Sequence, residues 1–256
     1  MTGDVEFDRI APVYDETRQP PSAEELATLT QLLRGCRTVL DAGVGTGRFA
    51  VPLGGRGFEV VGVDLSLGMM GRARTKGVAA LVRANVLRLP FVDAAVDAAF
   101  MSHVLQLLPD ARAVLRELGR VARRRVIVQL PQWFERSPSE SWRERRDRYR
   151  AIAAELGYSL PERGPRFWHS VDELSVIARP ADVRVVTRPL PEGEPSEERA
   201  ARWATEMMGG DPIPAEVHAE ILRRLRAEFP RDAAHGRRPR TSRFIVWDAR
   251  RLTERA

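Results

Sequence analysis

Val39-Leu40-Asp41-Ala42-Gly43-Val44-Gly45-Thr46-Gly47-Arg48-Phe49-Ala50 is the stretch on which the reading of this 256-residue chain turns. An apolar run, then alternating glycines, then a renewed apolar run read as a buried strand, a tight turn and the start of a helix. Glycines at 43, 45 and 47 let the backbone turn sharply and come close to a ligand where a Cβ would collide. The helix that follows aims unpaired N–H groups back into the turn. Spacing narrows the choice of ligand. A dinucleotide turn needs G-x-G-x-x-G, whereas here the third glycine stands two positions after the second, giving G-x-G-x-G, and Phe49 falls near the place of the missing one.

Outward from this turn, short apolar runs alternate with helical stretches. Strands are expected at Arg37–Asp41, Glu59–Val63, Ala80–Ala84, Val96–Met101 and Arg125–Leu130, and helices at Ala23–Leu33, Arg48–Gly54, Met69–Lys76 and Ala111–Val121. The strands are almost continuously apolar, as burial on both faces requires, so the sheet is expected to be mostly parallel with helices on both sides. After Leu130 the regularity stops. Two further strands are expected at Val183–Thr187 and Phe244–Trp247, with helices at Glu197–Met208 and Pro214–Phe229 between them. The chain is therefore read as one elaborated α/β domain: a lead-in over 1–35, a core over 36–130, and insertions over 131–182 and 189–241.

A second signal is Val60-Val61-Gly62-Val63-Asp64, a strand ending in a carboxylate 17 residues after Gly47. A carboxylate there can accept hydrogen bonds from both hydroxyls of a ribose. Each signal has a plainer reading, since glycine turns occur in many α/β proteins and a strand-end Asp is often a helix cap. Their order and spacing together argue for a cofactor site.

In these motifs the chain resembles the class I S-adenosylmethionine (SAM)-dependent methyltransferases, in particular the bacterial small-molecule type, over Phe7 to about Leu130. The resemblance implies a Rossmann-like seven-stranded, mostly parallel sheet, with helical insertions after the fifth and sixth strands. It implies SAM as cofactor and S-adenosylhomocysteine as product. Asp41, Gly43, Gly45 and Gly47 would line the methionine end, Asp64 would hold the ribose, and Leu65 and Met69 would pack near the adenine. Asn85 stands where relatives carry an Asp that touches the adenine amino group, and the amide of Val86 would meet the ring. Ser102 and His103 would face the reaction centre, with His103 either a general base or a hydrogen-bonded structural residue. The lead-in Phe7 to Arg18 resembles a lid, in which Tyr14 and Arg18 either reach the cofactor or belong to a surface helix. The implied reaction is direct displacement onto an O, N or C atom of a small molecule. An RNA or protein acceptor, or a non-catalytic SAM-binding module, shares the same core.

Composition bounds the rest. The formal net charge is +6, and Lys76 is the chain's only lysine among 41 cationic residues. The arginines are dispersed, and Trp142 to Arg150 alternates signs as a solvated helix does, which disfavours nucleic-acid binding. Neither a long apolar run nor a leader-like N-terminus is present, so a cytoplasmic protein, monomeric or homodimeric, is expected. Cys36 is the one cysteine and reads as an apolar filler. None of His103, His169, His218 and His235 pairs with Cys, Asp or Glu at metal-ligand spacing, so no metal is expected. Trp133, Phe134, Trp142, Tyr149, Phe167, Trp168 and Trp203 gather after the fifth strand, where an apolar acceptor pocket would form.

Overall fold

The computed structural model describes residues 7–12, 14–17, 20–131, 140–159, 169–188, 214–228 and 240–253. Seven strands form one sheet: β1 Thr38–Ala42, β2 Glu59–Asp64, β3 Ala80–Arg83, β4 Val96–Ser102, β5 Ala122–Pro131, β6 Asp182–Arg188 and β7 Arg240–Asp248. Their order is β3-β2-β1-β4-β5-β7-β6. The first five pair in parallel, whereas β7 runs antiparallel to both β5 and β6. The carboxyl ends of β1, β2, β4 and β5 thus lie along one edge, where ligands bind in open α/β sheets. The mostly parallel sheet expected from the sequence is the one observed.

Helices α1 Phe7–Ile10, α2 Ala23–Leu32, α3 Ala50–Gly54, α4 Leu67–Thr75 and α5 Ala111–Val121 accompany the first five strands. Alternation along each strand explains why both faces are covered. Val39, Phe100, Ile127 and Phe244 point into a cluster with Leu29, Leu33 and Leu53 of the α2 and α3 side. Their neighbours Leu40, Met101, Val128 and Ile245 point the other way, against Val114, Leu115 and Leu118 of α5. Phe49 and Phe100 meet edge to face at 5.0 Å between centroids. Truncating such a wholly buried aromatic costs about 3–5 kcal/mol. Trp247 is tolerated in the core because its indole N–H donates to the Ala178 carbonyl at 2.8 Å.

Some expectations need adjusting. Helix α3 starts at Ala50, not Arg48, because the glycine turn runs on through Phe49. Strand β5 begins at Ala122, directly from α5. The charged stretch after Leu130, where only Trp142–Arg150 shows a helix-like alternation of signs, holds α6 at Glu140–Glu155, followed by α7 at Val171–Ile177. Helix α8 at Ala215–Glu228 lies where one was expected, and α9 at Ala249–Thr253 follows the last strand. Tyr149, Ile152 and Ala153 of α6 bury against Ile221 of α8, so the two insertions meet each other. Salt bridges from Arg148 to Glu228 and Glu155 rim that contact. The helix expected at 197–208 lies outside the described residues. Among the described residues no helix is long and apolar enough to cross a membrane.

Candidate active site

Strands β1 and β2 pair with Ala42 opposite Val63, which carries the chain leaving β1 over the tip of β2. The amides of Gly43 and Val44 both donate to the Val63 carbonyl, at 2.7 and 2.9 Å. Gly43 has φ +82° and Gly45 φ +54°, the left-handed region that glycine enters without steric cost. A Cβ on Gly43 would stand 2.2 Å from Val104 Cγ2, whereas one on Gly45 would point into open space. The turn is therefore closed beneath by Val104 and open above at Gly45.

Two carboxylates flank it. Asp64 accepts from the Gly45 amide at 2.8 Å through Oδ2 and from the Ser66 amide at 3.0 Å through Oδ1. Burial raises its pKa, and the amide bonds oppose that rise. Asp41 is 3% exposed. Burial, and then the charge of Asp64, push its pKa up to about 7, against a hydrogen bond from the Ala50 amide.

A pocket opens over this turn. It brings together Tyr14, Asp41, Gly43, Gly45, Ser102 and His103, all expected site residues from three separated stretches of chain. Val44, Thr46, Arg48 and Phe49 complete its lining. His103 sits at φ +58°, an uncommon conformation for a side chain with a Cβ. Its carbonyl accepts from Gln106 Nε2 at 2.7 Å, which helps to hold that turn.

The lead-in crosses α4 and is fastened at both ends. Asp8 accepts from Ser66 Oγ at 2.7 Å and from the Gly68 amide at 2.6 Å, at the start of the helix. Asp15 accepts from Thr46 Oγ1 at 2.6 Å and pairs with Lys76 Nζ at 2.5 Å, just past its end. Burial works against the Asp15 charge, but its Lys76 and Thr46 partners outweigh that and hold its pKa low. Ile10 and Ala11 bury against Met69 between the two fastenings.

Other expected residues lie apart from the pocket. Gly47 is not in its lining; a Cβ there would meet Val78, Val51 and Ala73, so it serves helix packing. Met69 is 1% exposed beneath the lead-in, where its side chain packs against Ile10 and Ala11. Leu65 is exposed next to Asp64. Asn85 Oδ1 accepts from the Leu87 amide at 2.9 Å, closing a turn, and Val86 buries its side chain in the core. His169 bonds the Leu108 carbonyl at 2.9 Å, and His218 Nδ1 meets the Tyr149 hydroxyl at 2.8 Å. Cys36 packs half-buried against the α2 side, and burial raises its thiol pKa. Arg18, Trp133, Phe134, Phe167, Trp168, Trp203 and His235 lie outside the described residues, as does the side chain of Trp142.

Sequence reasoning overlooked Thr46, Arg48 and Val104 at the turn, and Glu25 and Gln129 beneath it. Glu25 had a visible signal: Ser22-Ala23-Glu24-Glu25 is a capping box, realised at 2.8 and 3.1 Å. That signal places Glu25 in a first helical turn and says nothing of what lies above it.

A glycine turn after the first strand, a carboxylate at the tip of the second and a mostly parallel sheet with a reversed seventh strand are the features on which the resemblance to class I methyltransferases rests. Residues 40–128 match the model of the methyltransferase domain family. A 2-phytyl-1,4-naphtoquinone methyltransferase of Nostoc punctiforme is 35% identical over 140 residues, 47% of this chain and 60% of that protein. A demethylmenaquinone methyltransferase of Corynebacterium kroppenstedtii is 42% identical over 85 residues, 33% of this chain and 37% of that protein. The chain thus spans only part of the length of these curated relatives. A SAM-dependent methyltransferase of Thermotoga maritima, described as a possible histamine N-methyltransferase, matches with a TM-score of 0.54 at 21% identity. That match covers 93% of this chain and 96% of the other, and the likeness is one of fold.

Proposed function

We propose that this chain is a methyltransferase that holds SAM along the edge from Asp41 to Asp64 and passes its methyl group to a small organic acceptor. One observation carries the reading: Asp41, Gly45, Ser102, His103 and Tyr14, far apart in sequence, line one pocket over an open glycine turn. The space beyond Gly45, which a Cβ would begin to fill, is where a cofactor fits. Asp41 and Ser102 offer acceptors to an ammonium, Arg48 offers a cation to a carboxylate, and Asp64 offers oxygens to a ribose.

When bound, SAM supplies a methyl group already activated on a sulfonium sulfur. The protein's part is then alignment and exclusion of water, with no nucleophilic side chain required. His103, in the pocket lining, would take a proton from an acceptor that arrives protonated. The lead-in, fastened through Asp8 and Asp15, closes the side of the site next to Tyr14. The insertions that carry α6 and α8 would cap the acceptor side, and the relatives named as quinone methyltransferases favour a small, apolar acceptor.

The direct test is transfer of labelled methyl from SAM into a fractionated cell extract, with the Asp64→Ala protein as control. Label in the small-molecule fraction supports the proposal. Label in RNA or protein moves the acceptor to another class, and absence of transfer with intact SAM binding points to a binding module.

A further inference from the structure

Beneath the pocket runs a buried polar chain that the reaction as described does not use. Glu25 of α2 is 1% exposed and Gln129 of β5 is fully buried. Glu25 Oε1 accepts from Gln129 Nε2 at 2.9 Å and from Ser242 Oγ at 2.9 Å, while Oε2 accepts from the Ser22 amide at 2.8 Å. Gln129 Oε1 in turn accepts from Ser102 Oγ at 2.6 Å. Arg48 stands 3.9 Å from Glu25 Oε2. Residues separated by up to 217 positions meet here, on β4, β5, β7 and α2.

The direction of these bonds follows from the chemistry of the groups. A carboxylate only accepts, so Gln129 must turn its NH2 toward Glu25 and its carbonyl toward Ser102. The Ser102 hydroxyl has one proton, and it is committed to that carbonyl. Only lone pairs are then left to face the pocket. A flipped Gln129 would set two acceptors against each other at Glu25, a costly arrangement without water.

We propose that Glu25 is a positioning residue which, through Gln129, fixes Ser102 as a hydrogen-bond acceptor toward the pocket and so selects a ligand carrying an ammonium there. The proposal rests on the SAM reading above and deepens it. Asp41 lies in the same pocket lining as Ser102, so the pocket that an ammonium would enter is bordered by both residues. Glu25 touches neither ligand nor solvent. Its influence reaches the site through Gln129 and Ser102, and through Arg48, which lines the pocket.

The test compares the affinity of S-adenosylhomocysteine with that of its deaminated analogue, by calorimetry, in the wild type and three variants. In the wild type the amine is expected to strengthen binding at least tenfold. Ser102→Ala should cut that preference about fivefold, and so should the near-isosteric Glu25→Gln, which lets Gln129 flip and Ser102 donate. The Glu25→Gln and Ser102→Ala double variant should lose no more than Ser102→Ala alone. A purely structural Glu25 would instead weaken both ligands equally, leaving the ratio intact and overturning the proposal. Gln129→Met breaks the same chain without touching Glu25, and decides the matter should Glu25→Gln fail to fold. Failure of the wild type to bind S-adenosylhomocysteine at all would overturn the SAM reading itself, a result distinct from an unchanged ratio.

Discussion

The Gly45 amide donates to Asp64 at 2.8 Å, so the glycine turn after the first strand is latched to the tip of the second. The carboxylate expected to hold a ribose also shapes the loop that would hold the other end of the cofactor. Asp64→Ala therefore removes both the proposed ligand contact and a loop anchor. Affinity for S-adenosylhomocysteine should fall by about 1–3 kcal/mol, read by calorimetry. Undiminished binding would falsify the ribose assignment.

Substitution at neighbouring glycines should separate folding from binding. Gly43→Ala places a Cβ against Val104 at positive φ and should lower the melting temperature by several degrees. At Gly45 the added methyl meets open space, so Gly45→Ala should cost the fold only about 1 kcal/mol of backbone strain. Its affinity for S-adenosylhomocysteine should nevertheless drop more than tenfold. A Gly45→Ala protein that titrates normally places the cofactor elsewhere.

Asp41 makes binding depend on pH. Its pKa in the fold is about 7, above the ordinary 3.8, so its contribution to the stability of the ligand-free protein is present below about pH 4 and lost as pH rises through about 7. An ammonium beside it favours the carboxylate and reverses the balance. Affinity for S-adenosylhomocysteine should rise between about pH 5.5 and 8, with a proton released on binding near pH 6. Calorimetry in two buffers of different ionisation enthalpy reads that proton, and Asp41→Asn should abolish its release.

His103 can be tested without disturbing its backbone. Asn enters the left-handed region more readily than most residues, so His103→Asn keeps φ near +58° while removing the base. Once an acceptor is identified, kcat at neutral pH should fall about 100-fold with cofactor affinity unchanged. Full activity would leave His103 as a wall of the pocket.

What the sequence disclosed was local, and what it hid depended on register. The glycine turn, the Asp64 strand tip and the alternation of strands with helices occupy short windows whose chemistry is self-contained. The approach of Gln129 to Glu25, 104 residues apart, follows from β5 lying between β4 and β7 in the sheet's order, which no short window encodes. Met69 sat at a position the resemblance linked to adenine, yet the lead-in buries it. For α6 the alternating charges suggested a solvated helix, but not that Tyr149, Ile152 and Ala153 bury against α8 inside a rim where Arg148 and Glu155 pair with Glu228 and Arg224. Helix α7 was in fact announced, by Ser170-Val171-Asp172-Glu173, a capping box with bonds of 2.7 and 3.1 Å.

The reversal of β7 separates two kinds of freedom. Pro131 pairs with Ser242, and Arg188 pairs with Arg240, so the connection from β6 to β7 leaves and re-enters the sheet at the edge where the glycine turn opens. The connection from β5 to β6 must instead travel the sheet's full height. A segment whose ends are already neighbours can change length cheaply, each doubling costing only about 0.6 kcal/mol in closure entropy. Residues 189–239 are thus the part of the chain that can be shortened, lengthened or replaced while strand pairing stays as it is, a hinge point for divergence that leaves the Gly43–Asp64 edge intact.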